Sequence, residues 1–172
     1  LNGTGISSGG ALRSISGTNT YAGAITQASD SRINSDSGTL TLDVASGNGI
    51  TGTYNITFGG SGNITVADPI ATSTGTLTKD GSGTLTLSGV NTYTGTTTVS
   101  AGTVAITGSG SLNSGSYAGA IANSGTFIYS SSATQTLSGI ISGTGALTKN
   151  TSASSVLTLS NTNTYTGVTT IN

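Results

Sequence analysis

This chain of 172 residues has no cysteine, histidine, glutamate, methionine or tryptophan, and only one proline, Pro69. Without cysteine there is no disulfide, no thiolate nucleophile and no cysteine-ligated zinc site. Without histidine or glutamate, general acid–base chemistry would rest on five aspartates alone. Charged residues make up 5% of the chain, and the net charge is -1. Such a chain has no field to attract nucleic acid or an anionic membrane. No run of 18 apolar residues is present, so no segment is expected to insert in a bilayer. A secretory leader is not visible, and the chain reads as an interior piece of something longer or as a processed product.

What fills the chain instead is Ser, Thr, Gly and Asn, which together exceed half of it. That bias alone would suit a flexible linker. Two features oppose a linker. Proline is nearly absent, and Leu, Ile and Val recur in strict alternation with Thr or Asn. Thr39-Leu40-Thr41-Leu42, Asn63-Ile64-Thr65-Val66, Thr84-Leu85-Thr86-Leu87 and Val156-Leu157-Thr158-Leu159 are examples. Period-2 alternation puts apolar groups on one face of a strand and polar groups on the other. Gly, Ser and Asn clusters separate these short strands, and nothing predicts a helix longer than one turn.

The strands are arranged in a repeat. Gly23, Gly47, Gly95, Gly119, Gly143 and Gly167 share a step of 24 residues, with Ala71 in the remaining slot. Tyr21, Tyr93, Tyr117 and Tyr165 each stand two residues before a glycine of that series. A fixed period of this size predicts a solenoid. The expected architecture is all-β: a parallel β-helix of about seven coils of roughly 24 residues, forming one rod over residues 1–172. At ~4.8 Å per coil the rod would be about 34 Å long. The glycines are expected to line one edge and the tyrosines to pack at corners with their hydroxyls at the surface. Leu85, Leu87, Leu157 and Leu159 are expected in the core, at one coil phase three turns apart.

A longer duplication lies above the coil, spanning about 6–99 and 106–171. Tyr21-Ala22-Gly23-Ala24-Ile25 recurs as Tyr117-Ala118-Gly119-Ala120-Ile121. Asn91-Thr92-Tyr93-Thr94-Gly95 recurs as Asn163-Thr164-Tyr165-Thr166-Gly167. The copies differ by about one coil between these blocks, as expected where each turn contacts only its neighbours.

The stretch from Gly75 to Val104 closely resembles the autotransporter-associated β-strand repeat of bacterial passenger domains. Gly145 to Ile171 resembles it again, departing at Asn150 to Ser155; residues 1–74 match only through short pieces such as Tyr21 to Ile25 and Gly38 to Leu42. The resemblance implies a right-handed parallel β-helix in a secreted or surface-displayed bacterial protein. It implies no catalytic residue, metal or cofactor.

Candidate chemistry is sparse. Asp30, Asp36 and Asp43, with Arg32 nearby, are the only possible acidic group on one face. Lys79 and Lys149 hold equivalent repeat positions, where their stems are expected to snorkel to the surface. Gly59 to Ile64 and Asp80 to Gly83 lack the acidic ligands of calcium loops and predict tight turns. Asn2, Asn55, Asn63 and Asn150 begin Asn-x-Ser/Thr triplets, which this composition produces by itself. The leading functional expectation is an extracellular structural segment, a stalk or filament block, with self-association by end-to-end stacking of coils. An adhesin segment that binds a surface or glycan is the alternative. Ice binding would need a Thr-x-Thr pair in successive coils. Steps of 24 from Thr20 land on Val44, Asp68, Thr92, Ser116, Ile140 and Thr164, so that ladder breaks in most coils.

Overall fold

A computed structural model describes residues 1–150 and 155–172. The alternating segments become strands, every pair of them parallel, stacked into a β-solenoid of about seven turns. Among the described residues helix is confined to two single 3-10 turns, Ile6–Ser8 and Asn113–Gly115. Each coil passes through three sides. One side is an eight-stranded sheet running from Thr18–Tyr21 to Thr169–Ile171. Another is a seven-stranded sheet from Leu12–Ser14 to Ile141–Ser142. The third side carries two three-stranded sheets, one around Ile50–Thr51 and one around Gln135–Leu137.

Alternation translates directly into stacked columns. On the eight-stranded sheet Leu40, Ile64, Leu85, Val104, Phe127 and Leu147 follow one another inward, and all are buried. On the third side Ile25, Ile50 and Ile70 do the same. Each strand satisfies its backbone through the coils before and after it, so a thin core suffices.

The coil is not a constant 24 residues. Within the named strands, paired positions are separated by as few as 19, between Leu85 and Val104, and as many as 25, between Ile33 and Phe58. The 24-residue series therefore does not form one edge. Gly95 and Gly119 stack, but Ala71 pairs with Thr51 at the end of a two-residue strand, and Gly143 stacks on Asn123. The ladder that does form consists of Gly17, Gly38, Gly62, Gly83, Gly102, Gly125, Gly145 and Gly167. Each stands at the corner that leads into the eight-stranded sheet, and only Gly167 belongs to both series. A Cβ on Gly83 would fall on the carbonyl oxygen of Gly62, and one on Gly145 on that of Gly125. Close approach of successive coils, rather than regular spacing, dictates glycine here.

Leu85 and Leu87 are fully buried as expected. Leu157 and Leu159 are only partly buried, and they lie on the third side, where they pair with Gln135 and Leu137. Leu85 is on the eight-stranded sheet, so the two pairs do not share a coil phase. The same shift applies to the whole repeat. Leu77–Lys79 is a strand of the seven-stranded sheet, whereas the equivalent Leu147 to Lys149 lies on the eight-stranded sheet. The second copy has advanced by three coils and one further side.

Candidate functional site

The repeat contains a polar cluster that is rebuilt on two different sides of the prism. In the first copy the Ile70 amide donates to Asn91 Oδ1 at 3.0 Å, and Asn91 Nδ2 donates to Gly89 O at 2.9 Å. In the second the Ile141 amide donates to Asn163 Oδ1 at 2.8 Å, and Asn163 Nδ2 donates to Asn161 O at 3.0 Å. The Tyr93 hydroxyl meets Thr97 Oγ1 at 3.0 Å, and the Tyr165 hydroxyl meets Thr169 Oγ1 at 2.7 Å. Gly95 stacks on Gly75, and Gly167 stacks on Gly145. The module Asn-x-Tyr-x-Gly-x-Thr thus clamps one coil to the next through local bonds. It needs no particular side, because three-sided coils offer equivalent corners.

The Tyr93 and Tyr117 hydroxyls point inward, contrary to the expected surface placement. Tyr93 and Tyr117 are fully buried, with ring centroids 5.8 Å apart in an edge-to-face arrangement. Thr97 Oγ1 lies between them, 2.8 Å from the Tyr117 hydroxyl, which in turn donates to Gly95 O. Burial raises the Tyr93 hydroxyl well above its ordinary pKa and pushes Tyr117 up to about 12. Tyr165 is partly buried. Tyr21 is 40% exposed and pairs with Leu42 on the eight-stranded sheet, so it is not part of this arrangement.

Lys79 does not snorkel. It sits in an inward column between Phe58 and Val99, is 1% exposed, and donates to Gly81 O. Desolvation lowers its pKa, while nearby Asp80 acts in the opposite sense. Lys149 stacks on Tyr129, with Nζ 5.9 Å from the ring centroid and 2.7 Å from Asn150 O. An inward lysine was not legible from the Thr-Leu-Thr-Lys pattern. Its phase matches the leucine two residues earlier, and that phase was the available signal.

Asp30, Asp36 and Asp43 are not brought together. Asp30 accepts from the Asn55 amide and from its side chain, both at 2.9 Å. Asp36 pairs with Arg13 at 2.6 Å, and that hydrogen bond holds its carboxyl below the usual range. Arg32 reaches across Gly59 to grip Asp80 with two bonds, at 2.6 and 2.9 Å. Gly59 has no room for a side chain because the guanidinium occupies that space. Arg32 also donates to Asn34 Oδ1, and Asn34 donates to Asp36, so a polar strip runs along the seven-stranded sheet. Among the described residues no group of three or more acidic side chains is placed to hold a metal ion.

The two glycine turns stack on each other, Gly81 on Gly60 and Gly83 on Gly62. Of the glycosylation-like triplets, Asn55 and Asn63 serve as clamps. Asn55 Oδ1 accepts from the Thr76 amide and Asn63 Oδ1 from the Thr84 amide, both at 2.9 Å. Asn2 accepts from Ser29, and Asn150 from Asn172. Most of the departure at Asn150 to Ser155 lies at 151–154, outside the described residues.

Correct register also uncovers a surface that a constant step concealed. Outward on the eight-stranded sheet, one column runs through Thr18, Thr39, Asn63, Thr84, Thr103 and Thr126. The next runs through Thr20, Thr41, Thr65 and Thr86, then passes Ala105 and Ile128 before Thr148 and Thr170.

No curated protein and no solved structure matches the chain. A family match does exist, and it falls on the segments that carry the corner module. Residues 77–106 and 154–172 match the family model of the passenger-associated-transport-repeat, and the two stretches are consistent with a repeat of autotransporter passengers.

Proposed function

We propose that this chain is a structural segment of an extracellular bacterial passenger, a length of stalk that extends by adding coils. The observation that carries this reading is the corner module, whose hydrogen bonds are the same at Asn91 and Asn163 although the two lie on different sides. A unit that docks on whatever coil precedes it suits a protein whose length is its product. The polar groups of the corner module are engaged in holding coil to coil, which favours a supporting role over catalysis. We further propose that the coils of one copy stack on those of another, since a strand edge at the end of such a stack can pair with a coil of the same kind.

Two measurements test the proposal. Duplicating one coil, residues 84–102, should lengthen the particle by about 4.8 Å in small-angle scattering without loss of β-structure. Light scattering at rising concentration should show linear association. A duplicated variant that unfolds or thickens would refute the modular stalk, and a rod that stays monomeric at high concentration would refute end-to-end stacking. A glycan array and a cell-binding assay should be blank; saturable binding in either would transfer the role to adhesion.

A further inference from the structure

We propose that the outward face of the eight-stranded sheet is a water-ordering surface that docks on ice. Four successive coils present paired polar groups: Thr18 with Thr20, Thr39 with Thr41, Asn63 with Thr65, and Thr84 with Thr86, where Asn63 offers only its Nδ2 because its Oδ1 accepts from the Thr84 amide. Pairing is residue for residue with no bulge between these strands, so the columns are straight. The repeat is about 4.8 Å along the axis and about 6.6 Å between residues i and i+2 of a strand. The axial repeat is close to an oxygen–oxygen repeat in hexagonal ice. Each threonine contributes a hydroxyl and a methyl on a branched carbon with little rotamer freedom, so the groups are held in place before any lattice arrives.

Three further observations select this face and this partner. First, the hydroxyls are unspent. Thr76, Thr94, Thr97 and Thr169 use theirs on protein partners, whereas among the described residues no array threonine donates or accepts through its Oγ1. Second, the two columns contain no charged and no aromatic residue. A sugar-binding face would offer rings to stack on, and the large aromatics of this chain are mostly turned inward. Third, the seven-stranded sheet cannot do the same. Its column Thr57, Thr78, Thr98 is flanked by Arg32 and Asp80, whose ion pair imposes its own hydration.

The folded 172-residue chain should be enriched in the solid phase during slow freezing, and should facet ice crystals and produce thermal hysteresis in an osmometer. Thr65→Lys places a charge in the centre of the array and should lower the hysteresis at least tenfold. Thr78→Lys, on the other sheet, should leave it unchanged. Circular dichroism melts establish that both variants fold. Ala105→Thr with Ile128→Thr extends the paired array to six coils and should raise the hysteresis. Exclusion of the folded chain from ice, or equal activity of Thr65→Lys, overturns the proposal. Binding to a polysaccharide that is lost in Thr65→Lys, with no effect on ice, overturns it in favour of a sugar ligand.

Discussion

Replacing Thr97 with valine tests the buried hydroxyl chain. The Tyr117 hydroxyl donates its only proton to Gly95 O, so it accepts from Thr97. Thr97 has then spent its proton and must accept from Tyr93, 3.0 Å away. One proton order satisfies all three hydroxyls, from Tyr93 to Thr97 to Tyr117 to the backbone. Thr97→Val keeps the shape, so no cavity opens; it removes two bonds and strands the Tyr93 donor in a fully buried position. A buried donor left unsatisfied costs about 1–3 kcal/mol, and the second lost bond about 1 kcal/mol. The predicted loss is about 2–4 kcal/mol. Tyr93→Phe alone removes one bond and strands nothing, because Thr97 still donates to Tyr117; its cost should be about 1 kcal/mol. The double variant should therefore be more stable than the sum of the singles by at least about 1 kcal/mol. Urea unfolding followed by circular dichroism measures all four corners of the cycle. The outward Thr98→Val, next in sequence, should change stability by less than about 0.5 kcal/mol. Strict additivity of the two changes, or a neutral Thr97→Val, would refute the proton order.

Alkaline pH should expose the same tyrosines. Their folded pKa values are raised, so their contribution is complete below pH 10 and is lost as pH climbs toward about 12. Melting temperature should fall across that window, and Tyr117→Phe should flatten the fall; an unchanged slope would remove Tyr117 as its source. Lys79 works in the opposite sense. Its folded pKa is depressed below 10.5, so the penalty for its buried charge is present at neutral pH and fades as pH rises through the lowered value. Lys79→Met keeps the volume without the charge and should be neutral or stabilising by about 1–4 kcal/mol at pH 7; a marked loss in a melt would show that the bond to Gly81 outweighs desolvation. Gly83→Ala should cost about 1–3 kcal/mol or more, since its Cβ would meet the Gly62 carbonyl and the backbone must move; a wild-type melt would mean the coils are less tightly apposed.

Alternation made the strands and the inward leucines legible, because one buried face imposes period 2 whatever the coil length. Leu40, Leu85 and Leu87 went inward as the pattern requires. Coil length itself was not legible. Turns of different lengths, from the Gly60-to-Gly62 corner to the 3-10 turn at Asn113, change the residue count while each strand keeps its pairing. A constant step of 24 happened to fit Gly95 and Gly119, which do stack, and misassigned Ala71 and Leu157. The Thr-x-Thr face was lost by the same error, since Thr41 pairs with Thr65 but Thr65 pairs with Thr86, only 21 residues on. The better signal was the glycine immediately before each alternating run, at Gly38, Gly62, Gly83 and Gly102, which follows the register whatever the spacing. Lys79 and the tyrosine hydroxyls were misplaced for another reason. Polar groups go inside when a backbone carbonyl or a threonine awaits them, and such partners come from neighbouring coils that a linear pattern does not bring together.

The most direct test of this register uses the absence of native cysteine. Thr86→Cys with Ala105→Cys places two thiols on paired outward positions 19 residues apart. Parallel neighbours about 4.8 Å apart are within reach of a disulfide under mild oxidation. The account predicts rapid, intramolecular cross-linking of this pair. It predicts none for Thr20→Cys with Val44→Cys, which a constant 24-residue coil would pair, because Thr20 pairs with Thr41 and Val44 lies three residues beyond it. Cross-linking of the second pair and not of the first would contradict the fold on which everything above depends.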